Sequence, residues 1–178
     1  NKDDQESMKY FGKIQTNAQV IYTSTAEINE ETFTSNKGIT YDISECNLRG
    51  RHNQSNIAQA IEALESIGLK KRAVESGIST FQGLAHRLEF VANVDGVDYI
   101  NDSKATNIDS VWYALDAMKK PIVWIVGGID KGNDYSILSE LVRNKVRWMI
   151  CMGLENQKLI DMFGHEVEGY DEAGSAQE

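Results

Sequence analysis

Ile57, Ala60, Ile61, Leu64 and Ile67 recur at intervals of three and four residues, the spacing that lines apolar side chains along one face of an α-helix. Gly68 follows as a stop signal, and a second short helix is predicted over Lys71 to Ser76. Before Asn53 the pattern differs. Ala18 to Tyr22 (AQVIY) and Ile39 to Ile43 (ITYDI) are short β-branched and aromatic runs parted by a polar Glu/Thr/Asn/Ser stretch, so this part reads as β-rich and exposed. Ser79 to Leu84 reads as a connection, and a domain boundary is placed there.

Beyond it, Asp95-Gly96 stands between Leu88–Val94 and Val97–Ile100. Asp-Gly between apolar runs predicts a hairpin, because both turn residues must tolerate positive φ. Elements then alternate: a helix over Asn107 to Met118, a buried strand IVWIV after Pro121, an amphipathic helix over Tyr135 to Asn144, a buried strand over Val146 to Met152, and a helix over Glu155 to Phe163. This order predicts an α/β fold with a mainly parallel sheet and right-handed crossovers, whose ligands sit at the C-terminal strand ends. The tail Asp171 to Glu178 has the composition of a helix start, and the sheet is expected to be unfinished.

Composition narrows the classes. The 178 residues are 41% hydrophobic with a formal net charge of −9, which argues against a nucleic-acid surface, since phosphate neutralisation needs clustered Lys and Arg. Lys70, Lys71 and Arg72 form the tightest basic run and read as a solvated helix end. Cys46 and Cys151 are far apart, and neither they nor His52, His86 and His165 have zinc-ligand spacing. A reducing cytosol fits this usage. No apolar run approaches the ~20 residues of a membrane span. The chain begins at Asn1 rather than Met, so a missing signal peptide carries no weight.

Four constellations carry chemistry. In Leu48 to Asn56, the amides of Asn53 and Asn56 lie one helical turn apart. Each offers a donor and an acceptor, which suits a purine edge; the simpler reading is that Asn53 caps the helix. His86-Arg87 follows the connection and reads as a surface pair or as an arginine reaching a nucleotide held by the preceding domain. Asn101-Asp102-Ser103-Lys104-Ala105-Thr106-Asn107 packs an acid, an amine, two hydroxyls and two amides into one strand-to-helix loop. Lys104 offers a mobile cation for phosphate or carboxylate, Asp102 an acceptor for sugar hydroxyls or a water-bound metal. The plain alternative is an Asx or Ser/Thr cap with incidental charges. Gly127 to Asp134 is a glycine-rich loop with Lys131 inside it, allowing close backbone approach. No GxxxxGK[ST] phosphate loop occurs in these residues.

In this order and spacing, GRHNxxN, FxGLxHR, INDSKATN and WIVGGIDKG resemble the Mur ligase family. The first two elements are shared loosely with folylpolyglutamate synthetases, whereas the DSKATN loop resembles the D-glutamate-adding branch. The resemblance runs from about Asn1, whose Asn-Lys-Asp-Asp resembles the family's N-x-D-D turn, to Phe163. It implies that residues 1 to 80 end a central ATPase domain and that 81 to 178 form most of a Rossmann-like C-terminal domain. It implies an ATP- and Mg2+-dependent ligase joining D-glutamate to UDP-N-acetylmuramoyl-L-alanine through an acyl phosphate in peptidoglycan synthesis.

By position, Asn56 resembles an adenine-contacting asparagine, with Asn53 beside it. Arg87 and Asp102 resemble nucleotide contacts, and Lys104 a catalytic lysine near the terminal phosphate and the incoming amine. Thr106 and Lys131 resemble residues holding a D-glutamate carboxylate. The phosphate loop and metal ligands are expected before residue 1 and the second carboxylate site after residue 178, so these residues alone are expected to be inactive. No metal ligand, nucleic acid or membrane is predicted, and a cytoplasmic monomer is expected. Two alternatives stay open: another Mur or folylpolyglutamate-type ligase, and a non-catalytic Rossmann-like binding module.

Overall fold

Burial of one helical face organises the N-terminal part of the chain. The computed structural model describes residues 1–11, 17–18, 20–24, 28–48, 50–129 and 132–177, and it divides into two units, Asn1–Leu84 and Ala85–Glu178. In the first unit, helix α1 spans Gln5–Phe11, and β1 (Thr32–Thr34) pairs antiparallel with β2 (Thr40–Asp42). Helices α2 (Arg51–Ser66) and α3 (Lys71–Thr80) follow. Phe33, Tyr41, Ile43, Ile57, Ala58, Ile61 and Val74 form the core.

The stripe on α2 is rotated from the predicted one. Ala58, Glu62 and Glu65 face inward with Ile57 and Ile61, while Ala60 is exposed and Ile67 is 72% exposed beyond the last turn. Glu62 is satisfied, accepting from the Asn36 backbone N–H at 2.7 Å. Neither carboxylate oxygen of Glu65 has a hydrogen-bond partner among the described residues. Burial, followed by the charges of Glu65, Glu62 and Glu75, pushes the Tyr41 hydroxyl above its ordinary pKa.

Two further expectations here are corrected. Among the described residues of the AQVIY run, none belongs to a strand: the Tyr22 carbonyl accepts from Asn36 Nδ2 at 2.6 Å and the Thr23 carbonyl from the Lys2 N–H at 2.8 Å. Helix α3 runs on through Thr80, into the predicted connection. Lys70 to Arg72 are exposed at its N-terminal end.

In the second unit, β3 (Glu89–Val94) and β4 (Val97–Asn101) form the hairpin, with φ of 51° at Asp95 and 85° at Gly96. Helix α4 (Ile108–Ala117) leads to β5 (Ile122–Val126). A 3-10 turn (Ser136–Leu138), α5 (Ser139–Lys145), β6 (Val146–Cys151), α6 (Gln157–Phe163) and β7 (Gly169–Glu172) complete the unit. Strands β5, β6 and β7 form a parallel sheet in that order, as the alternation of elements predicts. Its core joins Leu115, Leu138, Val142, Val146, Met149, Cys151, Leu159 and Phe163.

The strand β5 is only half buried, contrary to expectation. Ile122, Trp124 and Val126 pack on the core, while Val123 and Ile125 point to the opposite face and are exposed. The predicted helix start at Asp171 is also corrected, because Asp171 and Glu172 close strand β7. Its pairing with β6 is made by backbone, and the Trp148 ring packs where Gly169 lacks a side chain.

Candidate functional site

The cap position of helix α2 is Gly50, whose φ of 90° is open to glycine and which has no side chain to bond the first turn. Asn53 therefore lies in the first turn and is not the cap. Asn56 Nδ2 donates to Asn53 Oδ1 at 3.3 Å, so the two amides share one face. The Asn1–Asp4 turn reaches the same helix end: Asn1 Nδ2 donates to Ser55 Oγ at 3.0 Å. Asp4 caps α1 through the Glu6 and Ser7 N–H groups, and the Ser7 hydroxyl holds its carboxyl below the ordinary pKa. Arg49 lies outside the described residues, and so does Gly12-Lys13, a Gly-Lys pair without the leading glycine or the following Ser or Thr of a phosphate loop.

In the second unit, the His86-Arg87 turn and the Asn101–Asn107 loop are stitched into one structure. The Lys104 N–H donates to the His86 carbonyl at 3.1 Å, and the Leu88 N–H donates to Asp102 Oδ1 at 3.0 Å. Arg87 thus sits between two residues bonded to the strand-end loop. Those two residues, His86 (φ 64°) and Leu88 (φ 45°), are both left-handed without being glycine, a cost that persists only where the surroundings fix it. Arg87 and Lys104 are exposed and Asp102 half-buried.

The loop then tightens on itself, with Ala105 N–H donating to the Asp102 carbonyl and Thr106 N–H to that of Lys104. Asn107 is the cap of α4, its Oδ1 accepting from the Ser110 N–H at 2.8 Å. For Asn107 the plain capping reading is therefore the right one. Thr106 is exposed one residue before the cap.

The glycine-rich loop after β5 is anchored at both ends. A side chain at Gly127 would strike the Met152 carbonyl, and one at Gly153 would come within 2.9 Å of both Gly128 N and Asn156 Oδ1. The loops after β5 and β6 therefore touch backbone to backbone. Downstream, Lys158 Nζ donates to the Asn133 carbonyl at 2.9 Å and lies 4.9 Å from the Tyr135 ring centre. Asp134 accepts from the Ser136 N–H at 2.9 Å, which keeps its carboxyl below the ordinary pKa. Asp130 and Lys131 lie outside the described residues.

The structure thus joins Arg87, Asp102, Lys104 and Thr106 in one local assembly and sets Asn53 against Asn56 on another. Sequence reasoning missed the buried Asn156, whose Nδ2 ties the Cys151 carbonyl to Glu172 Oε2; the only signal was an amide just before an apolar helical run. Among the described residues, no group of three or more His, Cys, Asp or Glu could hold a metal ion. No helix among them is long and apolar enough to cross a membrane.

Residues 86–177 match the family model of the Mur ligase, glutamate ligase domain. Among curated proteins, the chain is 47% identical over 137 residues to the UDP-N-acetylmuramoylalanine--D-glutamate ligase of Cytophaga hutchinsonii, covering 77% of this chain and 30% of that protein. It is 41% identical over 143 residues to the one of Christiangramia forsetii, covering 80% and 32%. It is 40% identical over 153 residues to the one of Bacteroides fragilis, covering 86% and 34%. The chain spans about a third of the length of these relatives. The matched residues include the stitched turn, the capped loop and the glycine-rich loop, and with them the chain belongs to the Mur ligase family.

Proposed function

We propose that these residues form the nucleotide-facing and amino-acid-receiving part of an ATP-dependent ligase that adds D-glutamate to UDP-N-acetylmuramoyl-L-alanine in peptidoglycan synthesis. The stitching of the His86-Arg87 turn to Asp102 and Lys104 carries the reading. It gathers two cations and an acid at the open end of the antiparallel β3–β4 hairpin, in the loop that leads into α4. The names of the similar proteins support the choice of substrates. Residues 1 to 80 are read as the end of the central ATPase domain and 81 to 178 as the C-terminal domain, in a cytoplasmic monomer.

In the proposed reaction the substrate carboxylate takes the terminal phosphoryl group of ATP, giving an acyl phosphate and ADP. The amine of D-glutamate then attacks the acyl carbon, loses a proton, and phosphate leaves. Asn56, with Asn53 beside it, would hold the adenine edge, where an amide supplies both donor and acceptor. Arg87 and Asp102 would hold the nucleotide, and Lys104 would stand over the terminal phosphate, where developing charge needs a fixed cation. Thr106 and Lys131 would hold one carboxylate of D-glutamate. Magnesium, when bound, would neutralise phosphate charge; the described residues offer it no cluster.

The test is steady-state titration of the intact ligase. Lys131→Ala is expected to raise the D-glutamate requirement about 10- to 100-fold, the loss of one charge-assisted pair, with the ATP requirement moving much less. Asn56→Ala is expected to show the reverse selectivity. Equal effects on both substrates, or none, would refute these roles.

A further inference from the structure

Asn101 joins three partners around the Arg87 turn. Its Oδ1 accepts from the Ser103 N–H at 3.1 Å. Its Nδ2 lies 2.8 Å from His86 Nδ1 and 3.4 Å from Glu89 Oε2. That carboxylate in turn accepts from the His86 N–H at 2.8 Å. These partners leave the amide one orientation. Turned over, it would set an NH2 against the Ser103 N–H, and its oxygen against the Glu89 carboxylate. Both contacts would be repulsive.

The group facing His86 is therefore the NH2, a donor, so in the neutral ring Nδ1 accepts; Glu89 Oε2, 3.9 Å from the same nitrogen, would pair with it only in a charged ring. The ring proton then sits on Nε2. One side chain thus sets the tautomer and ring position of a residue whose backbone is left-handed, next to the arginine this turn presents. A generic surface histidine, 60% exposed at its side chain, would have no such constraint.

We infer that Asn101 is a positioning residue, which holds His86 with its proton on Nε2 and so fixes the turn that presents Arg87. The inference rests on the reading of Arg87 as a nucleotide contact, but its structural half stands apart from that reading and is tested separately.

The first measurement is the 15N spectrum of the His86 imidazole in the intact, ligand-free ligase, assigned by difference from His86→Asn. A lone pair on Nδ1 and a proton on Nε2 are expected. Asn101→Asp keeps an acceptor for Ser103 but turns an acceptor toward Nδ1, so the proton is expected to move to Nδ1. A proton on Nδ1 in the wild-type protein, or no change in Asn101→Asp, overturns the inference without any appeal to activity.

The second measurement separates position from chemistry. Asparagine carries an amide oxygen where histidine carries Nδ1, and it tolerates positive φ better than most residues. His86→Asn is therefore expected to keep the KM for ATP within about twofold, whereas Asn101→Ala should raise it about three- to tenfold, one net hydrogen bond's worth. His86→Gln, which moves the amide one carbon outward, should resemble Asn101→Ala. The KM for D-glutamate should stay near wild type in all three. Loss in His86→Asn with retention in His86→Gln would mean that Nε2 does the work, overturning the inference. So would equal rises in both KM values. If Arg87→Ala leaves the KM for ATP unchanged while the tautomer result holds, the nucleotide role of Arg87 fails and the tautomer assignment stands.

Discussion

Lys145, the last residue of α5, ends a different helix from its own. Its Nζ donates to the carbonyls of Leu115, Asp116 and Met118 at 2.9, 2.6 and 3.0 Å, where α4 leaves its last carbonyls without helical partners. A cation here also complements the negative end of the helix dipole. Lys145→Met keeps the stem and removes the ammonium. The Leu115 carbonyl retains the Met118 N–H at 3.2 Å, so the loss is counted on the other two. Water re-solvates part of this half-buried end, so about 2–3 kcal/mol is expected rather than the full value of two charge-assisted bonds.

Native-state hydrogen exchange reads this locally, because opening of one element is visible apart from global unfolding. Amides of α4 should exchange roughly 30- to 150-fold faster in Lys145→Met, from 1.4 kcal/mol per factor of ten. Lys145→Arg should fall between, since a planar fork cannot converge on three carbonyls as an ammonium can. A change under about threefold, or ~0.6 kcal/mol, would show that water satisfies these carbonyls as well as the lysine does. The stake is functional, because the other end of α4 is capped by Asn107 of the Asn101–Asn107 loop.

Two further outcomes are expected. Glu65→Leu should raise the unfolding free energy of the first unit by about 1 kcal/mol or more, read as a higher urea midpoint of its transition, because a buried carboxylate without a hydrogen-bond partner among the described residues costs more than the apolar group replacing it; a lower midpoint would mean the carboxylate is stabilising. Arg143 binds Glu166 through two hydrogen bonds, which hold the Glu166 carboxyl below its ordinary pKa. A depressed carboxyl stabilises above its unfolded pKa and loses that contribution as pH falls through the folded one, so Arg143→Met should weaken the second unit at neutral pH and match wild type in strong acid. Denaturant midpoints across pH would contradict this if the gap persisted in acid.

The repeat of Ile57, Ile61 and Leu64 made α2 legible, and Asp95-Gly96 gave the hairpin away because few other pairs accept two positive φ values. The apolar runs IVWIV and VRWMIC marked the parallel strands. Strand β7 was hidden because Gly-Tyr-Asp-Glu has no apolar alternation. What makes it a strand is tertiary: a gap at Gly169 for Trp148, and a Trp148 Nε1 bond to Asp171 Oδ2 at 2.7 Å. The AQVIY run misled for the opposite reason, having strand propensity but its Tyr22 carbonyl engaged by the Asn36 side chain outside any ladder. Residue types exposed the candidate site, since few loops mix acid, amine, amide and hydroxyl so densely. The left-handed turn at His86 and Leu88, and the amide of Asn101 that holds it, depend on contacts fifteen residues apart and leave no local pattern.

The most direct measurement is a competition of amino acids for the intact ligase, supplied with ATP, Mg2+ and UDP-N-acetylmuramoyl-L-alanine. If the strand-end loops receive D-glutamate, phosphate release and amide product should appear with D-glutamate. L-glutamate, L-lysine and meso-diaminopimelate should give no product above the no-amino-acid control. Product with one of those three and none with D-glutamate would contradict the assignment.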